Sequence, residues 1–410
     1  MRTPRSRRQT ESTGRLGLAT CFLLTGVAVA VWGSRIPDIQ QHADAQPAKF
    51  GLTLFAGAVG ALIAMQLSGR LLPRLPAPIF LRSASVGVAV TLVGPALADS
   101  VVQLAVALFL QGLAHGAMAV AMNTCAVGVE RELGRPVMSS FHSAFSIGSL
   151  AGALAGVGST HISIDALTLF TTAGSVQLLV LAMIWRNLPS SAATRADDMG
   201  TSVARATTPP SQANRTRLMI LSLLAVAAMV CEGSISDWCG IYVRDELGGS
   251  SKQAPLAFAA YAVSMTIGRL IGDSIAGRWG RLRFLRYSAL AAAVGLALTV
   301  IASSPGLGLV GFAIFGLGQA CVMPQLISLA GQSEGIDTGR VVARVVGLSQ
   351  VGFLIGPMLV GPVAQNMSLR IAFGITTLLC LVIAATRMPG ITRQGPGDRT
   401  PKGHVKDLET

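Results

Sequence analysis

Twelve long apolar stretches alternate with short polar segments, six on each side of a polar run at residues 186–217. Each stretch has about the 18 or more apolar residues that an α-helix needs to cross a bilayer. The stretches are too long and too uniformly apolar for barrel strands, and helices satisfy their own backbone hydrogen bonds in lipid. The pattern therefore predicts an all-α membrane protein with 12 transmembrane helices, at residues 16–34, 50–69, 79–98, 101–124, 138–158, 165–185, 217–238, 254–275, 286–303, 307–330, 343–365 and 370–387.

The central polar run is rich in serine, threonine, proline and charge, so it cannot bury enough apolar surface to fold by itself. We interpret it as a flexible cytoplasmic linker between two six-helix bundles. The predicted organisation is a tail at 1–15, a first bundle at 16–185, the linker at 186–216, a second bundle at 217–387 and a tail at 388–410.

Composition supports a membrane location, since 51% of the residues are hydrophobic and only 12% are charged, with a mean hydropathy of +0.59. A soluble protein carries about 25% charged residues. The net charge is +13, and the basic residues are unevenly distributed between the two sides of the membrane. Of the 32 Lys and Arg residues, 26 fall on the side of the linker, five fall on the other side, and Arg269 lies within a helix. This asymmetry predicts that both termini are cytoplasmic and that the chain crosses the plasma (inner) membrane several times. The basic charge therefore reflects the orientation of the chain in the membrane. We expect the lipid bilayer, not nucleic acid, as the partner.

The two halves carry an internal repeat. A shift of 204 residues aligns positions in three regions: Arg74 with Arg278, Gly112 with Gly316, His115 with Gln319, Gly148 with Gly352, and Gly152 with Gly356. One offset that fits three regions indicates two copies of a six-helix unit, related like the parallel halves of a transporter.

Several motifs resemble the major facilitator superfamily over essentially the whole chain. Residues 277–283 (GRWGRLR) are similar to its D-R-x-G-R-R loop after helix 8, with Arg278 and Arg281 in place and Gly277 at the acidic position. Residues 109–112 (FLQG) resemble its R-x-x-Q-G motif, with Leu108 replacing the arginine. More narrowly, segments 32–37, 134–142, 232–238 and 352–361 resemble a bacterial group of predicted carriers related to fucose permease.

This resemblance implies alternating access around a cavity lined by helices 1, 4, 7 and 10, with an inner gate at helix 8. The superfamily's exporter motif is a Gly-Pro-rich helix 5. Here the proline, Pro357, falls in helix 11, so both import and export stay open.

Polar residues at membrane depth are costly, about 2.5–3.5 kcal/mol each at a helix centre, and therefore informative. Glu232 lies deep in helix 7 with Ser236 one turn further on the same face. It is either a carboxylate that binds a proton or substrate in the cavity, or a packing or interfacial group. Asp237 lies nearer the outer surface as a gate or a helix-end acid, and the adjacent Trp238 suits an aromatic belt.

Arg269 and Asp273 are spaced i, i+4 on helix 8 and can form an ion pair near the cytoplasmic end, as a gating or structural pair. Pairing of Glu232 with Arg269 is disfavoured, because the predicted helix ends place them at depths about 13 Å apart.

Helix 4 carries a stripe with Gln111 and His115, which the repeat matches with Gln319 of helix 10. These side chains, and Thr25 on helix 1, are candidate ligands for substrate or proton, against the alternative of contacts between helices. His142 begins helix 5 near the cytoplasm and is a candidate gate group.

The glycine spacings have a mechanical interpretation. Gly352 and Gly356, like their first-half counterparts, allow helix backbones to approach closely, and Pro357 can bend helix 11.

The sequence carries no motif for nucleotide binding or for a metal site. There is no P-loop, no Cys/His cluster and no histidine spacing typical of zinc sites, so we expect no metal, no cofactor and no enzyme activity. The six cysteines are interpreted as small buried apolar residues. The favoured function is a monomeric, proton-coupled secondary transporter of a small polar solute such as a sugar. The alternatives are efflux of an amphiphilic toxic compound and a non-transporting receptor on the same scaffold.

Overall fold

A computed structural model describes residues 4–71, 77–133, 138–185, 188, 212–331 and 338–386. Their regular structure is helical: α1 (Pro4–His42), α2 (Pro47–Leu71), α3 (Ala77–Thr91) with a 3₁₀ turn (Gly94–Leu97), α4 (Val101–Leu133), α5 (Met138–His161), α6 (Ala166–Ile184), α7 (Gln212–Asp245), α8 (Ala254–Trp279), α9 (Arg281–Ile301), α10 (Pro305–Gln319), α11 (Val322–Gly331), α12 (Thr338–Asn366) and α13 (Leu369–Ala385). The predicted all-α membrane fold is confirmed.

Eleven segments of this set are long and apolar enough to cross a membrane, and α13 is a shorter apolar helix. Their outward faces carry large exposed apolar side chains, such as Val102 on α4, Met183 on α6 and Leu378 on α13. Such a surface is far larger than a soluble monomer exposes, and lipid is the solvent that suits it. The predicted linker falls mostly on residues 189–211, which lie outside the described part of the chain.

Short polar caps start several helices after tight connections. The Asp165 carboxylate accepts from the Thr168 backbone N–H at 2.7 Å to begin α6, and the Ser368 hydroxyl accepts from the Ile371 N–H at 3.2 Å to begin α13. Gly280 joins α8 to α9 with φ of 81°, a left-handed conformation that favours glycine.

Two predicted helices are interrupted. The predicted helix 3 ends at Thr91 because Gly94 and Pro95 follow it as a 3₁₀ turn. The predicted helix 10 is two pieces, α10 and α11, separated at Ala320 and Cys321. Pro324 accounts for the second break, since it has no N–H to donate to the Ala320 carbonyl and its ring clashes there.

The repeat is visible in the packing. In the first half, α1 packs on α5 and α2 on α4, and the second half repeats these pairs as α7 on α12 and α8 on α10. A Cβ on Gly112 would overlap the Gly57 carbonyl, and a Cβ on Gly316 would lie 2.6 Å from the Tyr261 carbonyl oxygen, the residue 204 positions after Gly57. The predicted pseudo-repeat therefore holds at the level of individual backbone contacts.

Candidate functional site

A cavity of about 480 Å³ lies between the first-half and second-half helices, with walls from α1, α2, α4 and α5 on one side and α7, α8 and α12 on the other. Small-molecule sites measure roughly 300–1,000 Å³. Most of the walls are apolar. The polar lining comprises Gln111, His115, Ser146, Ser149, Glu232, Ser236, Asp237, Tyr261, Thr266, Arg269 and Gln350.

Glu232 and Arg269 form an ion pair in this cavity, with 3.7 Å between Oε1 and Nη2. The expectation that they would not pair is wrong, because α7 continues to Asp245 and not to residue 238. Counted from the true ends of α7 and α8, Glu232 lies 13 residues deep and Arg269 lies 15 residues deep, about 3 Å apart in depth. The Glu232 side chain is 17% exposed and that of Arg269 is 43% exposed, so both reach the cavity. The predicted Arg269–Asp273 pair involves an Asp273 side chain outside the described set.

Gln319 lies at the break between α10 and α11 and is only 1% exposed. Its Nε2 donates to the Ala228 carbonyl on α7 at 2.7 Å, and the amide lies beside the Glu232 carboxyl. Gln319 therefore supports the ion pair from behind the cavity wall.

His115 and Gln111 both line the cavity on α4. His115 Nδ1 lies 3.0 Å from the Gln111 carbonyl oxygen, which can only accept, so the proton is assigned to Nδ1. Nε2 is buried and has no hydrogen-bond partner among the described residues. Burial without a counter-charge disfavours the imidazolium, so the ring is assigned as neutral with a free lone pair on Nε2. A ligand donor in the cavity would satisfy it.

Ser236 and Asp237 line the cavity at the next turn of α7, and the Ser236 hydroxyl donates to the Gly233 carbonyl at 3.1 Å. The aromatic-belt interpretation of Trp238 is wrong. Its side chain is 0% exposed and packs edge-on against Phe50 of α2, with ring centroids 5.5 Å apart. The extra turns of α7 beyond Trp238 place it inside the protein.

Two other candidates lie outside the cavity lining. The Thr25 hydroxyl donates to the Cys21 carbonyl at 2.8 Å and is 3.5 Å from the Met122 sulfur, within the first half. His142 packs edge-on against Phe22 at 5.6 Å, with Arg269 as its charged neighbour from the other half.

The remaining candidates lie at a helix junction or at close contacts between helices. Arg278 and Arg281 are exposed where α8 meets α9. A Cβ on Gly352 would overlap the Val226 carbonyl of α7, and one on Gly356 would lie 2.6 Å from the Val230 carbonyl oxygen. Pro357 lines the cavity within α12, which continues as one helix through it.

The halves meet at the end of the helices opposite to residues 185 and 212, which we call the distal end. Arg244, in the last turn of α7, donates from Nη1 to the Pro37 carbonyl at 2.6 Å and from Nη2 to Gln40 Oε1 at 2.7 Å, both on α1. The Ala48 N–H of α2 donates to Gln365 Oε1 of α12 at 3.1 Å. These contacts close the distal end of the cavity.

Helices of the two halves also approach each other closely at the distal end. A Cβ on Gly361 of α12 would lie 2.5 Å from the Pro47 carbonyl oxygen, and one on Gly33 of α1 would lie 2.6 Å from the Phe258 ring. Hydropathy missed the hydrogen bonds of Arg244 because Pro37, Gln40 and Arg244 lie beyond the predicted ends of helices 1 and 7.

Replacing Arg244 by Ala is expected to open the distal end, because two charge-assisted hydrogen bonds between halves are lost. Spin labels at Asp44→Cys and Lys252→Cys, in loops of opposite halves, would measure this by pulsed electron resonance in a background without other cysteines. We expect the distance distribution to shift to longer values. Lys49→Ala removes an exposed cation from the same end and serves as the control. An unchanged distribution in Arg244→Ala would contradict the closure role.

Paired helical units with equivalent packing around a cavity closed at one end define a polytopic membrane transporter. The chain belongs to the Major Facilitator Superfamily, whose family model matches residues 18–334 and 239–406. It is 32% identical to an uncharacterized transporter, y4wD, of Sinorhizobium fredii (strain NBRC 101917 / NGR234), over 90% of this chain and 96% of that protein.

Solved structures share the fold. The nucleoside transporter NupG superposes with a TM-score of 0.68 at 15% identity, covering 90% of this chain and 98% of that one. A bacterial homolog of the human lysosomal transporter Spinster, in an inward-facing and unoccupied conformation, gives 0.70 at 15% identity, covering 92% and 96%. The family-model match confirms the superfamily resemblance drawn from the motifs, and the solved structures show the shared fold.

Proposed function

We propose that the protein is a proton-coupled secondary transporter that moves a small solute by alternating access. The Glu232–Arg269 ion pair, which faces a cavity between the two halves, carries this proposal. A carboxylate at membrane depth is stabilised by its guanidinium partner. When the carboxyl takes up a proton, the guanidinium loses that partner and turns to other acceptors in the cavity. Protonation of Glu232 thereby frees Arg269 for contact with the ligand, which couples proton binding to ligand binding.

The proposed transport cycle uses the two halves as its moving parts. Residues 16–185 and 217–387 would rock about the cavity as bundles joined by the cytoplasmic linker. With both termini in the cytoplasm, the distal closure faces the outside of the inner membrane, and the cavity in this state would exchange with the cytoplasm. We propose that the carrier acts as a monomer, without a cofactor and without chemical change of the solute.

Two solute classes compete. The resemblance to carriers related to fucose permease favours a sugar-like solute. The largely apolar walls, which include Trp32, Phe145 and Phe353, favour the amphiphilic alternative. A sugar needs a hydrogen-bond partner for each buried hydroxyl, whereas an amphiphile needs apolar area and few polar contacts.

Substrate-evoked proton flux tests the proposal. Purified protein would be reconstituted in liposomes containing a pH-sensitive dye, and panels of sugars, nucleosides and amphiphilic amines would be applied as gradients. We expect one panel to change the internal pH in proteoliposomes and not in protein-free vesicles. Solute movement with no pH change, and no response to an imposed pH gradient, would reject proton coupling. Binding without movement of any solute would favour the receptor alternative.

A further inference from the structure

We propose that the solute is an organic cation with an aromatic or apolar body, whose charged group lies against Asp237. This inference rests on the proposed transport function and names its substrate class. Asp237 lines the same cavity as Glu232, but five residues further along α7 toward the closed distal end, about 7.5 Å at 1.5 Å per residue.

The acidic and basic side chains that line the cavity are unequal in number. Two acidic side chains, Glu232 and Asp237, accompany a single guanidinium, Arg269. Arg269 pairs with Glu232, and His115 is assigned as neutral because its Nε2 is buried, no carboxylate lies within ion-pair distance of the ring in the described part of the chain, and burial without a counter-charge disfavours the imidazolium. No Lys, Arg or His lies within ion-pair distance of Asp237 in the described part of the chain.

The groups that face Asp237 do not supply a positive charge. The Ser236 hydroxyl is its hydrogen-bonding neighbour, and Tyr261 of α8 and Cys239 of α7 are the titratable groups close enough to interact with it electrostatically. A carboxylate at this depth without a cation is costly, so the protonated form of Asp237 is favoured when no cation is bound and its ionised form needs a cationic partner. A positively charged ligand would supply the missing partner, while an anion would face two carboxylates and one guanidinium.

The walls around this carboxylate suit a cation with an apolar body. Five of the 31 lining residues are aromatic, about three times the 5% found in the whole chain. Phe258 and Tyr261 are neighbours on α8, with ring centroids 6.0 Å apart, and Phe258 reaches Gly33 of α1 at the closed end. Ring faces attract cations electrostatically, and a neutral solute of the same shape would not gain this attraction.

Ions of opposite charge and nearly equal shape give the sharpest test. Tetraphenylphosphonium and tetraphenylborate would be compared by equilibrium dialysis against the purified full-length protein in detergent, with empty micelles subtracted. We expect saturable binding of tetraphenylphosphonium that is at least about tenfold tighter than that of tetraphenylborate. Equal binding of the two ions, or no saturable binding of the cation, would overturn the inference without any variant.

The variant arm locates the charged contact. Asp237→Asn is expected to weaken tetraphenylphosphonium binding about tenfold or more, and Asp237→Glu to retain most of it. Asp44→Asn, which removes an exposed carboxylate outside the cavity, is expected to leave binding unchanged. Unaltered binding in a folded Asp237→Asn variant would also overturn the inference. Proton flux evoked only by neutral or anionic solutes would keep the proposed function and reject the cation assignment.

Discussion

Replacing Glu232 by Gln is expected to abolish proton-driven solute accumulation while leaving solute–solute exchange in place. The carboxamide keeps the shape of the side chain and its contact with Gln319, but it cannot take up or release a proton. Arg269 loses the partner that Glu232 offers at 3.7 Å. A carrier that cannot change its protonation state can still reorient with bound solute, so exchange survives.

Both activities would be measured in the same proteoliposomes, as accumulation under an imposed pH gradient and as counterflow without one. We expect accumulation to fall to the level of protein-free vesicles and counterflow to stay within a few-fold of wild type. Asp44→Asn is the matched control for loss of one carboxylate. Because Glu232→Gln leaves the Arg269 charge unpaired, the double variant Glu232→Gln/Arg269→Gln restores neutrality if the single variant does not fold. Full accumulation in a folded variant would exclude Glu232 as the proton site.

Hydropathy predicted the helices well because every segment that crosses lipid must be a long apolar helix. It failed at the ends, since α1 and α7 continue through Pro37 and Arg244, where polar side chains interrupt the apolar pattern. Packing between the halves stabilises those extra turns, and hydropathy carries no information on packing. The same error displaced Glu232 relative to Arg269 and concealed their pairing.

Part of the candidate site could be predicted from the sequence. Glu232 was predicted from the free-energy cost of an acidic side chain within the membrane, and Gln111 and His115 from their helical spacing. All three line the cavity. Thr25 met the same criteria, yet its hydroxyl packs beside Met122 within the first half. Spacing identifies a face of a helix, but it does not identify the neighbour that covers that face. The break before α11 did have a signal, Pro324.

Gly148→Ala is expected to cause a large loss of stability, because a Cβ there would overlap the Leu23 carbonyl oxygen of α1. A backbone oxygen cannot rotate away as a side chain can, so α1 and α5 must separate. Overpacking of this kind costs about 1–3 kcal/mol, and occasionally more. Gly158→Ala is the matched control in the same helix, since its Cβ would meet nothing within 4 Å. There the gain in helix propensity, up to about 1 kcal/mol, predicts equal or higher stability.

The repeat extends this prediction to the second half. Gly352 lies 204 positions after Gly148 and approaches the Val226 carbonyl of α7 in the same way, whereas Gly374 of α13 has open space at its Cβ position. Thermal unfolding in detergent, followed by size-exclusion chromatography, should therefore show losses for Gly148→Ala and Gly352→Ala and none for Gly158→Ala and Gly374→Ala. Equal midpoints for all four variants would mean that the paired helices are not held at backbone contact. In that case both halves would pack more loosely than these glycines require, and the rigid-bundle motion proposed for transport would lose its mechanical basis.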